Sequence, residues 1–451
     1  MMPQARLERV HAERGQSDKP ARSEGVRQTS YRAVSALAET ALVLGMADSC
    51  SSSYSVRAVF CLCVAEVLTM VGVFSFPALL PGFVAEWGLT NTEAGWISGV
   101  IFAGYTLAVP VLTTLTDRID AKRVYLGGAV LAALSCLGFA WWAQGFWSAL
   151  GLRFAAGIGL AGTYMPGLKA LVDRSSGPQQ PRWISFYTAS FSLGTSVSFL
   201  VTGWVGEASG WRAAFALAGG CALAAAALVL LLLPGKMPQP PVSAGSPFDF
   251  LPVFRNRAAM GYVLGYATHV WELFGARSWM VAFLAFSLSL QPGASGPSPT
   301  SVATMAAVLA MVSSIWGADL AVRFDRRRVC AAAMVASALL AAGIGFTAAL
   351  PYGLVVVLVL LHSALIQIDS AALTTGAVMA AEPTRRGATI AIHSLLGFGA
   401  GFLGPLIFGV VLDLGGGGAS APAWGFGFAS LALVAGLGPL ALRLIASNPS
   451  R

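Results

Sequence analysis

The chain has 451 residues, of which 56% are apolar and 11% charged, and its net charge is +8. Soluble domains carry about 25% charged residues, so this composition excludes a water-soluble protein, a disordered chain, a collagen and a disulfide-linked scaffold. The mean hydropathy is +0.72. Apolar runs of about 20 residues favour membrane-spanning helices over the alternating segments of a membrane β-barrel.

Residues 1–56 differ from the rest because they are polar and rich in arginine. They lack the apolar core of a secretory signal. The mildly apolar stretch 33–46 contains Glu39 and is too short to span a membrane. We interpret this segment as a cytoplasmic tail with one surface helix. A gene start assigned too far upstream is the alternative that the residues leave open.

Twelve apolar segments follow, each long enough to cross a hydrocarbon core about 30 Å thick. They cover residues 58–84, 91–115, 124–144, 146–172, 183–205, 212–234, 258–289, 299–321, 329–349, 352–380, 388–414 and 424–446. The stretch between the sixth and seventh segments is rich in Pro and Ser and predicts a linker. The predicted domains are the tail (1–56), a six-helix bundle (57–234), the linker (235–257), a second six-helix bundle (258–446) and a cytoplasmic C-terminus (447–451).

Lysine and arginine residues concentrate in alternate connections. One set of connections holds Arg118, Lys122, Arg123, Arg174, Arg182, Lys236, Arg255, Arg257, Arg323, Arg326, Arg327, Arg328, Arg385 and Arg386. The other set holds only Arg212. Because basic residues stay on the cytoplasmic side, this bias predicts that both termini are cytoplasmic. It also explains the net charge without a nucleic-acid partner.

The two halves of the chain resemble each other at offsets of 204–206 residues. The matched pairs are Thr116–Val124 with Ala321–Val329, Arg182 with Arg386, Gly203–Glu207 with Gly409–Asp413, and Glu66 with Glu272. Four matches in the same order predict a duplicated six-helix unit. Such repeats about an axis along the membrane normal are typical of transporters, whose binding site lies between the halves near the midplane.

Several motifs resemble those of the major facilitator superfamily. Asp117-Arg-Ile-Asp-Ala-Lys-Arg123 is similar to the conserved loop after its second helix, and Arg323-Phe-Asp-Arg-Arg-Arg328 repeats that loop in the second half. Arg153-Phe-Ala-Ala-Gly-Ile-Gly159 resembles the family's arginine-glycine element. Gly210-Trp-Arg-Ala-Ala-Phe215 and Gly404-Pro405 are also typical. The resemblance covers residues 57–446.

The resemblance implies an all-α membrane protein whose twelve transmembrane helices form two pseudo-symmetric six-helix bundles. It also implies a multi-pass protein of the bacterial inner membrane. Thr113 and Asp120 stand where the loop motif has glycines, and Val322 stands where the second half has aspartate. The fifth segment lacks the Gly-Pro pair of drug–proton antiporters. The seventh, Tyr266–Trp279, resembles a group of poorly characterised bacterial carriers.

Ionisable side chains are costly inside a bilayer, so they mark a transport pathway or a buried pair. The predicted proton and substrate pathway comprises Glu66, Arg153, Tyr164, His269, Glu272, Arg277 and Asp369, with Tyr164 as the repeat counterpart of Asp369. His269 and Glu272 share a helix face and predict a pair that holds and releases a proton. The alternative for these residues is a structural role in helix packing. The lone histidines His362 and His393 are interpreted as packing residues.

The loop charges predict a cytoplasmic gate that closes that side in the outward-open state. Its residues are Asp117, Arg118, Asp120, Asp319, Arg323 and Asp325. Asp117 can accept hydrogen bonds from a neighbouring helix start, and breaking such contacts permits a rocking motion. The alternative is that these charges set membrane topology alone.

The first functional hypothesis is secondary active transport of a small solute by alternating access, coupled to protons. Two buried arginines slightly favour an organic anion or metabolite. The alternatives are efflux of a drug or metabolite by proton antiport, and a non-transporting membrane sensor. No catalytic constellation, metal-ligand spacing or phosphate-binding loop occurs, so we expect no enzyme activity, metal or cofactor. The expected partners are a small-molecule substrate, protons and lipid, with a monomer as the functional unit.

Overall fold

The computed structural model describes residues 56–175, 179–236, 250–293 and 295–446. Nearly all of the predicted tail, most of the linker and the last five residues lie outside these ranges. Every regular element in the described ranges is a helix. The α-helices are α1 (56–70), α2 (Ser75–Ala78), α3 (Leu80–Trp87), α4 (Asn91–Leu115), α5 (Ala121–Trp142), α6 (Phe146–Arg174), α7 (Gln180–Leu232), α8 (Leu251–Arg255), α9 (Arg257–Ser289), α10 (Pro299–Arg323), α11 (Arg326–Ile344), α12 (Tyr352–Gln367), α13 (Ser370–Ala380), α14 (Arg386–Leu414), α15 (Ala421–Ala435), α16 (Gly438–Ala441) and α17 (Arg443–Ala446).

Eight helical stretches in the described ranges are long and apolar enough to cross a membrane, judged by length and composition. The longest, α7, has 53 residues, which corresponds to about 80 Å at the usual rise. Gly210 has a φ of +81° and divides α7 into two crossings. With the broken helix α1–α3 and the long helices α6 and α9, the described ranges contain the twelve crossings that the sequence predicts.

Three of the predicted segments are interrupted helices. The first breaks between α1 and α2, the tenth between α12 and α13, and the twelfth after α15. Proline explains two of the breaks, because it lacks the N–H that would bond to the carbonyl four residues earlier. Pro77 leaves the Val73 carbonyl free, and Pro439 leaves that of Ala435 free.

The six-helix bundles meet along α4 and α14 and along α7 and α10. Small residues permit the close approach of α4 to α14. A Cβ atom added to Gly99 would lie 2.4 Å from the Phe402 carbonyl oxygen, and one added to Gly95 would lie 2.6 Å from that of Pro405. We call the end with the connections 116–120, 324–325 and 381–385 the basic end, and the end with residues 88–90 and 415–420 the opposite end.

Candidate functional site

Arg153 on α6 binds the break in the first crossing. Its guanidinium donates hydrogen bonds to the carbonyl oxygens of Gly72 (2.8 Å) and Val73 (2.6 Å). The second of these carbonyls is the one that Pro77 leaves without a helical donor. Ser198 on α7 completes the break by donating to Val71 O and accepting from the Phe74 N–H. The Arg153 guanidinium is therefore bound by carbonyl oxygens of the backbone.

Glu66 is the buried acid of the N-terminal bundle, with no exposed surface. The Tyr187 hydroxyl on α7 donates to its Oε2 atom at 2.9 Å. The ring of Tyr164 lies almost parallel to that of Tyr187, with centroids 6.1 Å apart. Oε1 of Glu66 has no hydrogen-bond partner within the described ranges. Two predicted pathway residues, Glu66 and Tyr164, are thus joined through a tyrosine that sequence reasoning missed.

The C-terminal bundle contains a first buried acid–imidazole contact between α9 and the break before α13. Nδ1 of His269 lies 2.7 Å from Oδ1 of Asp369, and both side chains are almost completely buried. The Tyr266 ring stacks on His393, with centroids 3.8 Å apart. His393 Nε2 lies 3.2 Å from the Thr374 hydroxyl. The structure therefore brings together His269 and Asp369, which are 100 residues apart in the chain.

A second buried acid–imidazole contact lies between α9 and α12. Nε2 of His362 lies 3.0 Å from Oε1 of Glu272, and the Ser337 hydroxyl donates to Oε2 at 2.9 Å. This corrects the expected pairing of His269 with Glu272, since each of these residues has its partner on the α12–α13 crossing. His362, interpreted from the sequence as a lone packing residue, thus has a buried acid as its partner. His362 on α12 and Asp369 at the break after it both contact α9.

Arg277 lies farther along α9, between the two bundles. The residue is 6% exposed, and its guanidinium carbon lies 5.9 Å from the centre of the Phe74 ring. Its Nη2 atom has no hydrogen-bond partner among the residues that the structure describes. The two arginines predicted for the pathway thus differ, because Arg153 is bound by carbonyl oxygens and Arg277 is not.

At the basic end, the predicted gate residues are mostly exposed. Asp117, Arg118, Asp319 and Arg323 have exposed side chains that form no ion pair or hydrogen bond within the described ranges. Asp325 caps α11 by accepting from the Arg328 N–H at 2.9 Å. The expected latch through Asp117 and Arg118 is not formed in this conformation, and its role stays a prediction.

Asp120 is the gate residue that forms a buried ion pair. Its carboxylate accepts from Nη2 of Arg174 at 2.8 Å and from the Lys236 N–H at 2.7 Å. Burial raises the pKa of the Asp120 carboxyl, but hydrogen bonds from Arg174 and from the backbone N–H groups of Lys236 and Lys122 outweigh this effect and hold the pKa below its usual value. These partners bind Asp120 within the N-terminal bundle and its following segment.

At the opposite end, Asp413 of α14 connects the bundles. Its carboxylate accepts from the backbone N–H groups of Asn91 (3.1 Å) and Thr92 (2.7 Å) and from both of their side chains. A carboxylate is favourable at this position, the N-terminus of α4, because the helix dipole is positive there. Sequence reasoning aligned Asp413 with Glu207 as a repeat but assigned it no role. This contact joins α4 of the first bundle to α14 of the second.

The comparisons with known proteins agree with this architecture. The family model of the Major Facilitator Superfamily matches residues 62–379. The chain is 28% identical over 148 residues to a niacin transporter of Acinetobacter baylyi, covering 33% of each protein. It is 25% identical over 158 residues to a probable sphingolipid transporter, spinster homolog 1, of Arabidopsis thaliana, covering 35% of this chain and 31% of the relative. The chain thus spans about a third of the length of these relatives.

Two solved structures share the fold. One is an inward-facing bacterial homolog of the human lysosomal transporter Spinster, with a TM-score of 0.64 and 15% identity over 87% of this chain and 96% of that chain. The other is the nucleoside transporter NupG, with a TM-score of 0.69 and 14% identity over 86% of this chain and 99% of that chain. At these identities the similarity establishes the fold alone.

Proposed function

We propose that this chain, which belongs to the Major Facilitator Superfamily, is a proton-coupled secondary transporter of a small organic anion or metabolite. It works by alternating access in the bacterial inner membrane, with the basic end and both termini in the cytoplasm. The observation that carries the proposal is the pair of buried acid–imidazole contacts, His269 with Asp369 and His362 with Glu272.

These contacts suit proton coupling because each one places a carboxyl group within 3.0 Å of an imidazole in buried surroundings of low dielectric. The number of protons on a pair sets its net charge, and an unbalanced charge is costly there. Both contacts join α9 to the α12–α13 crossing. Proton binding therefore changes how strongly these helices, which line the interface of the bundles, pack together. A packing contact with two alternative strengths is the switch that alternating access requires.

The relatives support transport of a small molecule without agreeing on which one. The names of the compared proteins refer to niacin, sphingolipid and nucleoside transport. Efflux by proton antiport remains the alternative function, and it predicts the opposite direction of proton flow.

The test is proton flux in liposomes that contain the purified protein and an enclosed pH-sensitive dye. Organic anions, sugars, amino acids and cationic drugs are added one at a time. A solute that carries protons inward indicates symport, and a solute that drives protons outward indicates antiport. Proton flow that no solute changes contradicts the proposed coupling.

The matched variants are Glu272→Gln and Glu207→Gln. We expect Glu272→Gln to reduce solute-dependent proton flux by about tenfold or more, which corresponds to a lost coupling free energy of about 1.4 kcal/mol, while exchange of the solute continues. Glu207 is an exposed acid, so its variant should behave as wild type. Normal flux and an unchanged pH profile in Glu272→Gln would exclude Glu272 from coupling.

A further inference from the structure

Arg277 is a buried cation without a compensating anion. Its nearest acid along the helix, Glu272, is engaged with His362 and Ser337. No ion pair reaches the Arg277 guanidinium within the described ranges, its Nη2 atom has no hydrogen-bond partner there, and the Phe74 ring lies 5.9 Å from the guanidinium carbon. An isolated charge in an interior costs several kcal/mol, so a partner for Arg277 is expected from outside the protein.

The surroundings of Arg277 have the form of a ligand site between the bundles. The side chain lies against a cavity of about 10 Å³, roughly the space that one water molecule needs. Phe199 of the N-terminal bundle forms one wall, and Leu273, Met280 and Ala306 of the C-terminal bundle form others. Because both bundles contribute walls, the room at Arg277 depends on the distance between the bundles, and a solute larger than one water fits only when they separate.

The chemistry of these walls defines the ligand class. A guanidinium binds a carboxylate through two parallel hydrogen bonds. The other walls are apolar except for the hydroxyl of Ser363, which suits an apolar body and offers no second cation. Ser363 of α12 and Leu273 of α9 line the cavity, so the same two helices carry the cavity and the Glu272–His362 contact.

We infer that Arg277 binds the carboxylate of the transported solute, and that the solute is a small monocarboxylate with an apolar body. This inference rests on the proposed function and names its substrate class. Binding of the anion at Arg277 and of a proton at the adjacent Glu272–His362 contact then involve the same two helices, α9 and α12. That proximity gives a physical route for coupling.

The test is ligand-dependent thermal unfolding of the full chain in detergent at fixed pH, with acids compared with their neutral amides. The pairs are benzoate with benzamide and nicotinate with nicotinamide. We expect at least one acid to stabilise the protein and its amide to have no effect, because only a ligand that binds the folded state raises its stability. Equal stabilisation by acid and amide, or stabilisation by neither acid, would overturn the inference.

Three variants identify the residue responsible. Arg277→Gln should weaken acid binding by about tenfold or more, and Arg277→Lys should restore part of it. Arg212→Gln removes an exposed arginine and should leave binding unchanged. Without ligand, Arg277→Gln should unfold at or above the wild-type temperature, because it removes an unpaired buried charge, and this separates lost binding from lost folding. Wild-type affinity in Arg277→Gln would overturn the inference.

The binding test and the proton-flux test fail independently. Acid binding without proton movement would reject proton coupling and leave the Arg277 site intact. Proton flux driven only by uncharged solutes would reject the anion site and leave the proposed transporter intact.

Discussion

Arg153 and Arg277 are in opposite electrostatic situations although both are buried in crossing helices. Arg153 donates to two carbonyl oxygens at the break in the first crossing, so its charge is solvated by the protein backbone. Arg277 has the Phe74 ring and an almost closed cavity as its surroundings. The first arrangement stabilises the fold. In the second, the guanidinium keeps hydrogen-bond donors that can bind a ligand.

We expect Arg153→Met to lower the free energy of unfolding by about 1–3 kcal/mol, because it leaves two buried carbonyl groups without donors. Arg277→Met should preserve or raise stability, since it breaks no hydrogen bond and removes a buried charge. Unfolding of both variants in the same detergent, followed by circular dichroism, measures the difference. An equal loss in the two variants would contradict the distinction between a structural and a ligand-binding arginine.

The identity of the buried residues could be predicted from the sequence, but their partners could not. Ionisable side chains inside apolar segments are visible by inspection, which is why Glu272 and Asp369 were found. Proximity along one helix suggested that Glu272 contacts His269. The actual contacts join α9 to residues about 90–100 positions later, and side-chain partners at that separation depend on how whole helices pack.

At the level of helices, the breaks within the crossings provide the non-helical backbone at the site. Pro77 frees a carbonyl that Arg153 then binds, and the break before α13 places Asp369 opposite His269. Average hydropathy does not detect such breaks, because the residues on both sides are apolar. Pro77 was a visible signal for the first one. The break at Asp369 contains no proline, so local sequence gave no comparable sign of it.

The contact of Asp413 with the start of α4 gives a prediction about the opposite end. We expect Asp413→Ala to increase the population open at that end by about fivefold, since a capping carboxylate contributes about 1 kcal/mol. Spin labels at Ala85→Cys and Ala419→Cys, in a background without the native cysteines, report the distance across that end. The fraction of molecules with a longer distance between the labels should be larger in the Asp413→Ala protein than in wild type.

The matched control is Glu207→Ala. Glu207 is the repeat counterpart of Asp413, yet its exposed side chain accepts no hydrogen bond from a described residue. Its removal should leave the distance distribution as in wild type. Similar opening in the two variants, or none in either, would show that the Asp413 contact does not hold the bundles together.

In the whole molecule, the duplicated fold carries an unequal distribution of ionisable groups. Inside the described crossing helices, the N-terminal bundle has one buried acid, Glu66, paired with a tyrosine, whereas the C-terminal bundle has two acids paired with histidines. The number of crossings and the repeat were predictable because hydropathy and offset matches are properties of the chain itself. The unequal distribution of paired ionisable groups could not be predicted without knowing which helices are in contact.

The orientation in the membrane is the prediction that belongs to the whole molecule. Fourteen basic residues lie in one set of connections and one in the other. Translocating so many cations is unfavourable, so the basic end should be cytoplasmic. Phe324 is exposed at the basic end and Ala419 is exposed at the opposite end. Neither side chain can form a hydrogen bond, so replacement by cysteine breaks none.

A membrane-impermeant maleimide applied to intact cells should label Ala419→Cys and leave Phe324→Cys unlabelled. Permeabilised cells should show labelling at both positions, which controls for reactivity. The reverse pattern would invert the proposed topology and would make the end with the Asp413 contact the cytoplasmic one. With the expected pattern, the contact of Asp413 with α4 lies on the outer side of the membrane, and we expect a solute from outside to reach Arg277 only after Asp413 releases α4.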